Sequence, residues 1–177
     1  WSQCDDGLQS YQCNSNVWAR RYDAASATWS PPTLIEQDTA SSVYGGPISI
    51  AVGRNGDATV GWAEGNNTGT TGWRTNVWAA HYTAATGVWG TDTLAENDNT
   101  VDMSAPQVVV DGAGNSLMVW TRTIPTTPYN YTIRTDVMAN RYDAATGTWG
   151  TPVLLENDST NSISPSIGMD AAGNGMA

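Results

Sequence analysis

The chain is expected to be all-β: a β-propeller built from four-stranded antiparallel blades, with about three blades present. Three observations predict it. One stretch occurs three times at a spacing of sixty residues: NVWARRYDAASATWSPPTLIEQD from Asn16, NVWAAHYTAATGVWGTDTLAEND from Asn76, and DVMANRYDAATGTWGTPVLLEND from Asp136. A second stretch recurs between these copies: PISIAVGRNGDATVGW from Pro47, PQVVVDGAGNSLMVW from Pro106 and PSIGMDAAGNGMA from Pro165. Both stretches carry period-2 apolar patterning broken by turn residues, and neither carries a helical period. Four strands in tandem repetition are the signature of propeller blades, because a sheet one layer thick hides its faces only against neighbouring sheets.

Each half of the repeat reads as a hairpin. In the longer stretch, Val137, Ala139 and Arg141 alternate with Met138, Asn140 and Tyr142, and the earlier copies carry Trp18, Tyr22, Trp78 and Tyr82 on the second face. Aromatic and β-branched alternation of this kind is strand-like. The turn that follows, DAATG, places Asp143 to accept backbone N–H groups and Gly147 to take a left-handed conformation. A return strand is expected over Thr148 to Glu156. In the shorter stretch, Pro106 to Asp111 is a strand that opens on proline, where the missing N–H is tolerated. Gly112 to Asn115 is a tight turn, and Ser116 to Thr121 returns towards Trp120.

The order P-x-V-x-V-D-x-x-G-N-x-x-x-V-W, then N-V-x-x-x-R-Y-D-x-x-T-G-x-W-x-x-P-x-L-L, resembles the blades of sialidase-like (BNR-repeat) propellers, and it covers nearly the whole chain. The resemblance implies architecture. The turn departs from that family's Asp-box, since Asp143 precedes Trp149 by six positions and not five. The catalytic set of sialidases is not matched. The early Arg-Ile-Pro motif is absent, Arg122-Thr-Ile-Pro125 falls in a loop, and Arg20, Arg21 and Arg141 fall within outer hairpins. No catalytic residue is assigned.

The chain is read as one propeller segment over 1–177, with repeats 16–75, 76–135 and 136–177 and with 1–15 as the end of a preceding repeat. Propellers close with about 4–8 blades. Three repeats therefore imply either a piece of a longer chain, which is the expectation, or a ring completed by another copy. Net charge of −10 and the absence of lysine disfavour a nucleic-acid partner. No apolar run is long enough to span a membrane. Cys4 and Cys13 share a loop whose counterparts lack cysteine; a local disulfide is expected, and with it an extracellular or cell-surface location. Two free thiols are the alternative.

Candidate function concentrates on one rim, the upper one. There the variable loops Glu64–Thr75 and Thr123–Thr135 meet the connectors Glu36-Gln-Asp38, Glu96-Asn-Asp98 and Glu156-Asn-Asp158. The paired carboxylates suit calcium or sugar hydroxyls. A structural role in holding each connector is preferred, since repeated residues in such arrays maintain stacking. No cofactor is otherwise implied. Trp73, Arg74, Tyr129, Tyr131 and Arg134 are the candidate ligand contacts, because aromatics beside a guanidinium stack on a sugar or grip a carboxylate. His81 replaces Arg21 and Arg141 and reads as a strand-surface residue. Asn66, Asn130 and Asn157 open N-x-S/T triplets.

The function expected is a binding or scaffolding propeller with a glycan or protein partner at the upper rim. The alternatives are a sialidase-like glycosidase whose catalytic residues lie mostly outside this segment, and a structural surface or filament protein.

Overall fold

The computed structural model describes residues 1–4, 15–37, 42–43, 47–67, 73–126, 133–157 and 160–177. They form antiparallel β-sheets, with no helix among the described residues. Divided by sheet, which shifts each repeat to begin in the connector before it, the first repeat holds β1 (Ser2–Cys4), β2 (Ser15–Ala19), β3 (Tyr22–Asp23), β4 (Thr28–Trp29) and β5 (Thr33–Leu34). The second holds β6 (Ser42–Val43), β7 (Ser49–Val52), β8 (Ala58–Asn67), β9 (Trp73–Thr83), β10 (Val88–Trp89) and β11 (Thr93–Leu94). The third repeats that order with β12 (Asp102–Met103), β13 (Gln107–Val110), β14 (Ser116–Pro125), β15 (Ile133–Asp143), β16 (Thr148–Trp149) and β17 (Val153–Leu154). A last hairpin, β18 (Gly168–Met169) with β19 (Gly175–Met176), follows.

The second and third sheets share one topology. Their two long central strands pair over ten residues, Asn67↔Trp73 to Ala58↔Tyr82 and Pro125↔Ile133 to Ser116↔Tyr142. On one side β6 and β7, or β12 and β13, pair with the first long strand. On the other side β10 and β11, or β16 and β17, pair with the second.

Two details differ from the sequence expectation. The return strand over Thr148–Glu156 is broken: Gly150 N–H still bonds to Arg141 O at 2.8 Å, but the pairing with β15 then shifts by one residue before Val153, as it does before Thr93 in the second sheet. The long strands also run further than expected. Both partners stay extended, so the ladder continues through Glu64–Asn67 and Thr123–Pro125, and Trp73, Arg74 and Arg134 are strand residues.

The core lies between successive sheets. Val17 and Ile35 of the first sheet meet Val60, Trp62 and Ala80 of the second. Val77, Ala79 and Ala95 of the second meet Met103, Val108, Met118, Trp120 and Met138 of the third. The third sheet thus turns large residues to the second, which offers it mainly small ones. Gly61 shows why: a Cβ there would come within 2.6 Å of Met118 Cε and 3.1 Å of Pro106 Cγ. Polar bonds fix the stacking at the same offset. Val108 N–H donates to Ser49 Oγ at 3.1 Å, Thr59 Oγ1 and Ser116 Oγ share a hydrogen bond of 2.6 Å, and Gly112 N–H donates to Ala171 O at 3.1 Å.

The Asp-led turns form as expected. Asp143 Oδ1 accepts from Ala145 N–H at 2.9 Å, and Gly147 has φ of 70°. Gly87 takes the same conformation at 72°, but the first repeat puts Ala27 there, at 54°. A side chain in the left-handed region costs about 1–2 kcal/mol, partly offset by the lower entropy of the unfolded alanine. Ala27→Gly should therefore raise stability by about 0.5–1 kcal/mol, measured by urea unfolding, with no effect on the spectrum of the folded state.

Candidate functional site

The stems of the variable loops and one connector meet at the upper end of the second and third sheets. Arg74, Thr100, Val101, Asp102, Thr123, Pro125 and Ile133 line a cleft of about 120 Å³. Arg74 lies near the start of β9, and β12 carries Asp102 beside it through its pairing with Thr123. Thr75 N–H donates to Asp102 Oδ1 at 3.1 Å, and the Arg74 guanidinium stands 4.0 Å from Asp102 Oδ2. Both side chains keep solvent access, 27% and 50%. The cleft therefore offers a cation, a carboxylate and two threonine hydroxyls above an apolar floor.

Below it the upper ends of the sheets carry buried charge. Asp136 is 1% exposed and holds two guanidiniums, Arg122 at 3.0 Å and Arg134 at 2.8 Å. The corresponding pair of the second repeat is Glu64 and Asn76, both buried, with Glu64 Oε2 accepting from Trp62 Nε1–H at 2.8 Å. In the third repeat arginine replaces that glutamate, and Trp120 Nε1 has no hydrogen-bond partner among the described residues.

The glutamates of the connectors are structural in position. Glu96 is 6% exposed and accepts the Asp98 N–H. Glu156 Oε1 accepts the Val137 N–H at 3.0 Å, tying the connector back to β15. Glu36 is buried at the same point of the first repeat. Asp98 caps Thr100, accepting both its N–H and its hydroxyl. No group of three or more potential metal ligands occurs among the described residues.

Of the residues singled out from the sequence, Arg74 lines the cleft, and Arg134 sits beside it, engaged by Asp136. Trp73 opens β9, where its backbone pairs with Asn67. Tyr129, Tyr131, Asp38 and Asp158 lie outside the described residues, as do Asn130 and Cys13, the second cysteine of the expected bridge. Cys4 closes β1, and Asn157 is exposed. His81 departs from its reading as a surface residue. It stacks on Tyr142 of the next repeat at 4.7 Å between ring centroids, and its Nδ1 shares a 2.9 Å hydrogen bond with Thr59 Oγ1. Burial holds it below the usual histidine range, against the pull of Asp57.

Sequence reading missed Thr100, Asp102 and Thr123, which sit in a connector and a strand with no repeated motif. It also missed a second, larger cleft of about 390 Å³, lined by Trp1, Trp18, Ala19, Arg20, Trp29, Ile48, Ile50 and Val60. Compared with known proteins, the chain matches no family model and no curated relative.

The acids give a pH signature. Burial pushes Asp111 up, but the hydrogen bonds from Asn115 Nδ2, Ala113 N–H and Asn115 N–H outweigh it and hold the carboxyl below the usual aspartate range. The stabilisation is present above the unfolded aspartate pKa and is lost as pH falls through the folded one. Asp111→Ala should cost about 1–3 kcal/mol at neutral pH, and the difference from wild type should shrink as pH drops below the ordinary aspartate range. Burial raises Glu96 the other way, so its contribution is fully present below the unfolded pKa and is lost as pH rises through the folded one. Glu96→Gln should remove that loss. Urea unfolding of the three proteins across the acid range checks both signs.

Proposed function

We propose that the chain is a run of sialidase-like β-propeller blades with a binding or scaffolding role at the cell surface or outside the cell, and that its upper cleft takes a glycan end group. The observation that carries the reading is the composition of the cleft around Arg74: one guanidinium, one carboxylate and two hydroxyls over Val101, Pro125 and Ile133. Sugars present just such a mixture, vicinal hydroxyls on one side and an apolar C–H face on the other. The volume of about 120 Å³ is below the roughly 300–1,000 Å³ of sites that engulf a small molecule, so a terminal residue of a longer chain is a better fit.

The repeated acids favour binding over glycoside hydrolysis. Glu96 and Glu156 each commit one oxygen to a backbone N–H group, Asp111 accepts from two backbone N–H groups and the Asn115 amide, and Asp136 holds two arginines. Two opposed carboxylates flanking a bond are what hydrolysis requires. The stacking of the sheets through apolar cores of Trp, Met and small residues supports the propeller reading, since blades cover one another in this way.

On a glycan array the chain should bind a restricted set of structures, and Arg74→Ala should weaken that binding at least about tenfold, the loss of one charge-assisted contact, with its melting temperature little changed. Binding indifferent to Arg74→Ala would move the ligand elsewhere, and turnover of a fluorogenic glycoside would overturn the non-enzymatic reading. The extracellular placement rests on Cys4 bridging to Cys13: mass spectrometry after alkylation without reductant should find neither cysteine labelled, and two labels would remove that support.

A further inference from the structure

The cleft around Arg74 distinguishes end groups by which of its own atoms still have a proton to give. Thr100 O–H donates to Asp98 Oδ1 at 2.5 Å, and the same oxygen takes the Thr100 N–H at 3.0 Å. The hydroxyl bond is the largest of the contacts that hold the Asp98 carboxyl below the usual aspartate range. Asp98 is therefore ionised at neutral pH and only accepts, so the single proton of the Thr100 hydroxyl is committed to it. Towards the cleft Thr100 Oγ1 offers lone pairs alone. Asp102 is an acceptor as well. Its Oδ1 takes the Thr75 N–H at 3.1 Å, which fixes the carboxylate, and its side chain stays half exposed.

Two of the polar groups that line the cleft thus require donors from its occupant. Arg74 supplies donors, but its guanidinium stands 4.0 Å from Asp102 Oδ2. That separation exceeds a hydrogen bond of about 2.7–3.2 Å, yet it lets the two charges answer each other. One hydroxyl fits the gap by donating to Asp102 Oδ2 and accepting from Arg74. A neighbouring hydroxyl can donate to Thr100 Oγ1, with Val101, Pro125 and Ile133 beneath the carbons that carry the pair. A carboxylate or a sulfate brings acceptors only, and sets them against Asp102 and Thr100.

Charge points the same way. The guanidiniums of Arg74, Arg122 and Arg134 are matched by the carboxylates of Asp102, Asp136 and Asp98. Arg74 faces Asp102, Asp136 holds both other arginines, and the field of Arg122 reaches Asp98. These six charges cancel, and the whole chain carries −10, so the surroundings do not draw an anion in.

We propose that the cleft takes the vicinal diol of a neutral sugar end group and turns acidic ends away, with Asp102 and Thr100 setting the choice. The inference rests on the glycan reading of this same cleft and narrows it to one class of sugar.

An array printed with neutral ends, such as hexoses and fucose, beside sialylated, uronic-acid and sulfated ends tests the choice. Binding should be confined to neutral ends. Periodate, which cleaves the carbon–carbon bond between vicinal hydroxyls, should remove it. Asp102→Asn keeps the shape and an acceptor for the Thr75 N–H, but it sets an amide donor where the diol donates and leaves Arg74 unmatched by Asp102. It should weaken neutral ends at least about tenfold and strengthen acidic ones, with the melting temperature little changed. Thr100→Val should weaken neutral ends without that gain. Binding confined to acidic ends, binding that survives periodate, or an Asp102→Asn chain that loses both classes alike would each overturn the proposal and leave the glycan reading standing. An array with no binding at all removes both.

Discussion

The structure depends on one steric relation: successive sheets interlock where a bulky residue of one enters the space left by a small residue of its neighbour. Met118 reaches Gly61, Leu117 reaches Gly175, and Trp62 packs with Val17 and Ile35. A sheet one layer thick has no other way to take its tryptophans out of water, and a fully buried large side chain is worth about 1.5–3 kcal/mol relative to exposure. Where the covering sheet is incomplete, the same residue type is left in solvent. Trp29 is 59% exposed, while Trp89 and Trp149, at the same turn, are half-buried.

That relation explains the disposition of polar groups. Breaking the outer strands at Gly90 and Gly150 and the inner ones near Ser104 lets each sheet change direction, but it frees backbone groups that need partners. The repeated acids and amides supply them. Asp57 Oδ1 accepts the Ala84 N–H, Asn115 Oδ1 accepts the Ala144 N–H, and Asn140 Nδ2 donates to Ala95 O and Gly150 O. The first two of these bonds bridge one hairpin to the next within a sheet, and the bond from Asn140 to Ala95 O joins two sheets. Unpaired, each buried group would cost about 1–3 kcal/mol.

Much of this was legible in the chain itself. The sixty-residue period, the alternation in Val137–Tyr142 and the Asp143–Gly147 turn led directly to antiparallel hairpins. The breaks within strands were legible only in part. Pro152 signals one, but Gly90-Thr91-Asp92 carries no proline and breaks in the same place. The reach of the ladder past Glu64 and Thr123 was hidden because no repeated motif continues there. The upper cleft was half legible: Arg74 stood out, whereas Asp102 comes to it only through β12 pairing with β14. Sequence spacing does not carry a contact made by register across a sheet. His81 looked like a surface substitute because its counterparts are exposed arginines, yet a smaller ring at that position can lie flat on Tyr142.

The departures from the repeat are where individual function can reside. Positions held constant, such as Val17, Val77 and Val137, accept the same backbone bond from the connector in every sheet and have little freedom to acquire another duty. The pair Glu64 and Asn76 becomes Arg122 and Asp136 one repeat later, which converts an acid bonded to an indole into an acid clasped by two cations. The exchange keeps one buried acid in the pair but adds positive charge and leaves Arg122 partly exposed, so it changes what each upper end presents to its loops. Trp120 loses the acceptor that Trp62 keeps. A scaffold whose stability comes from apolar stacking tolerates such swaps at its ends, and that tolerance lets a cleft with Arg74 and Asp102 form between two copies of one motif.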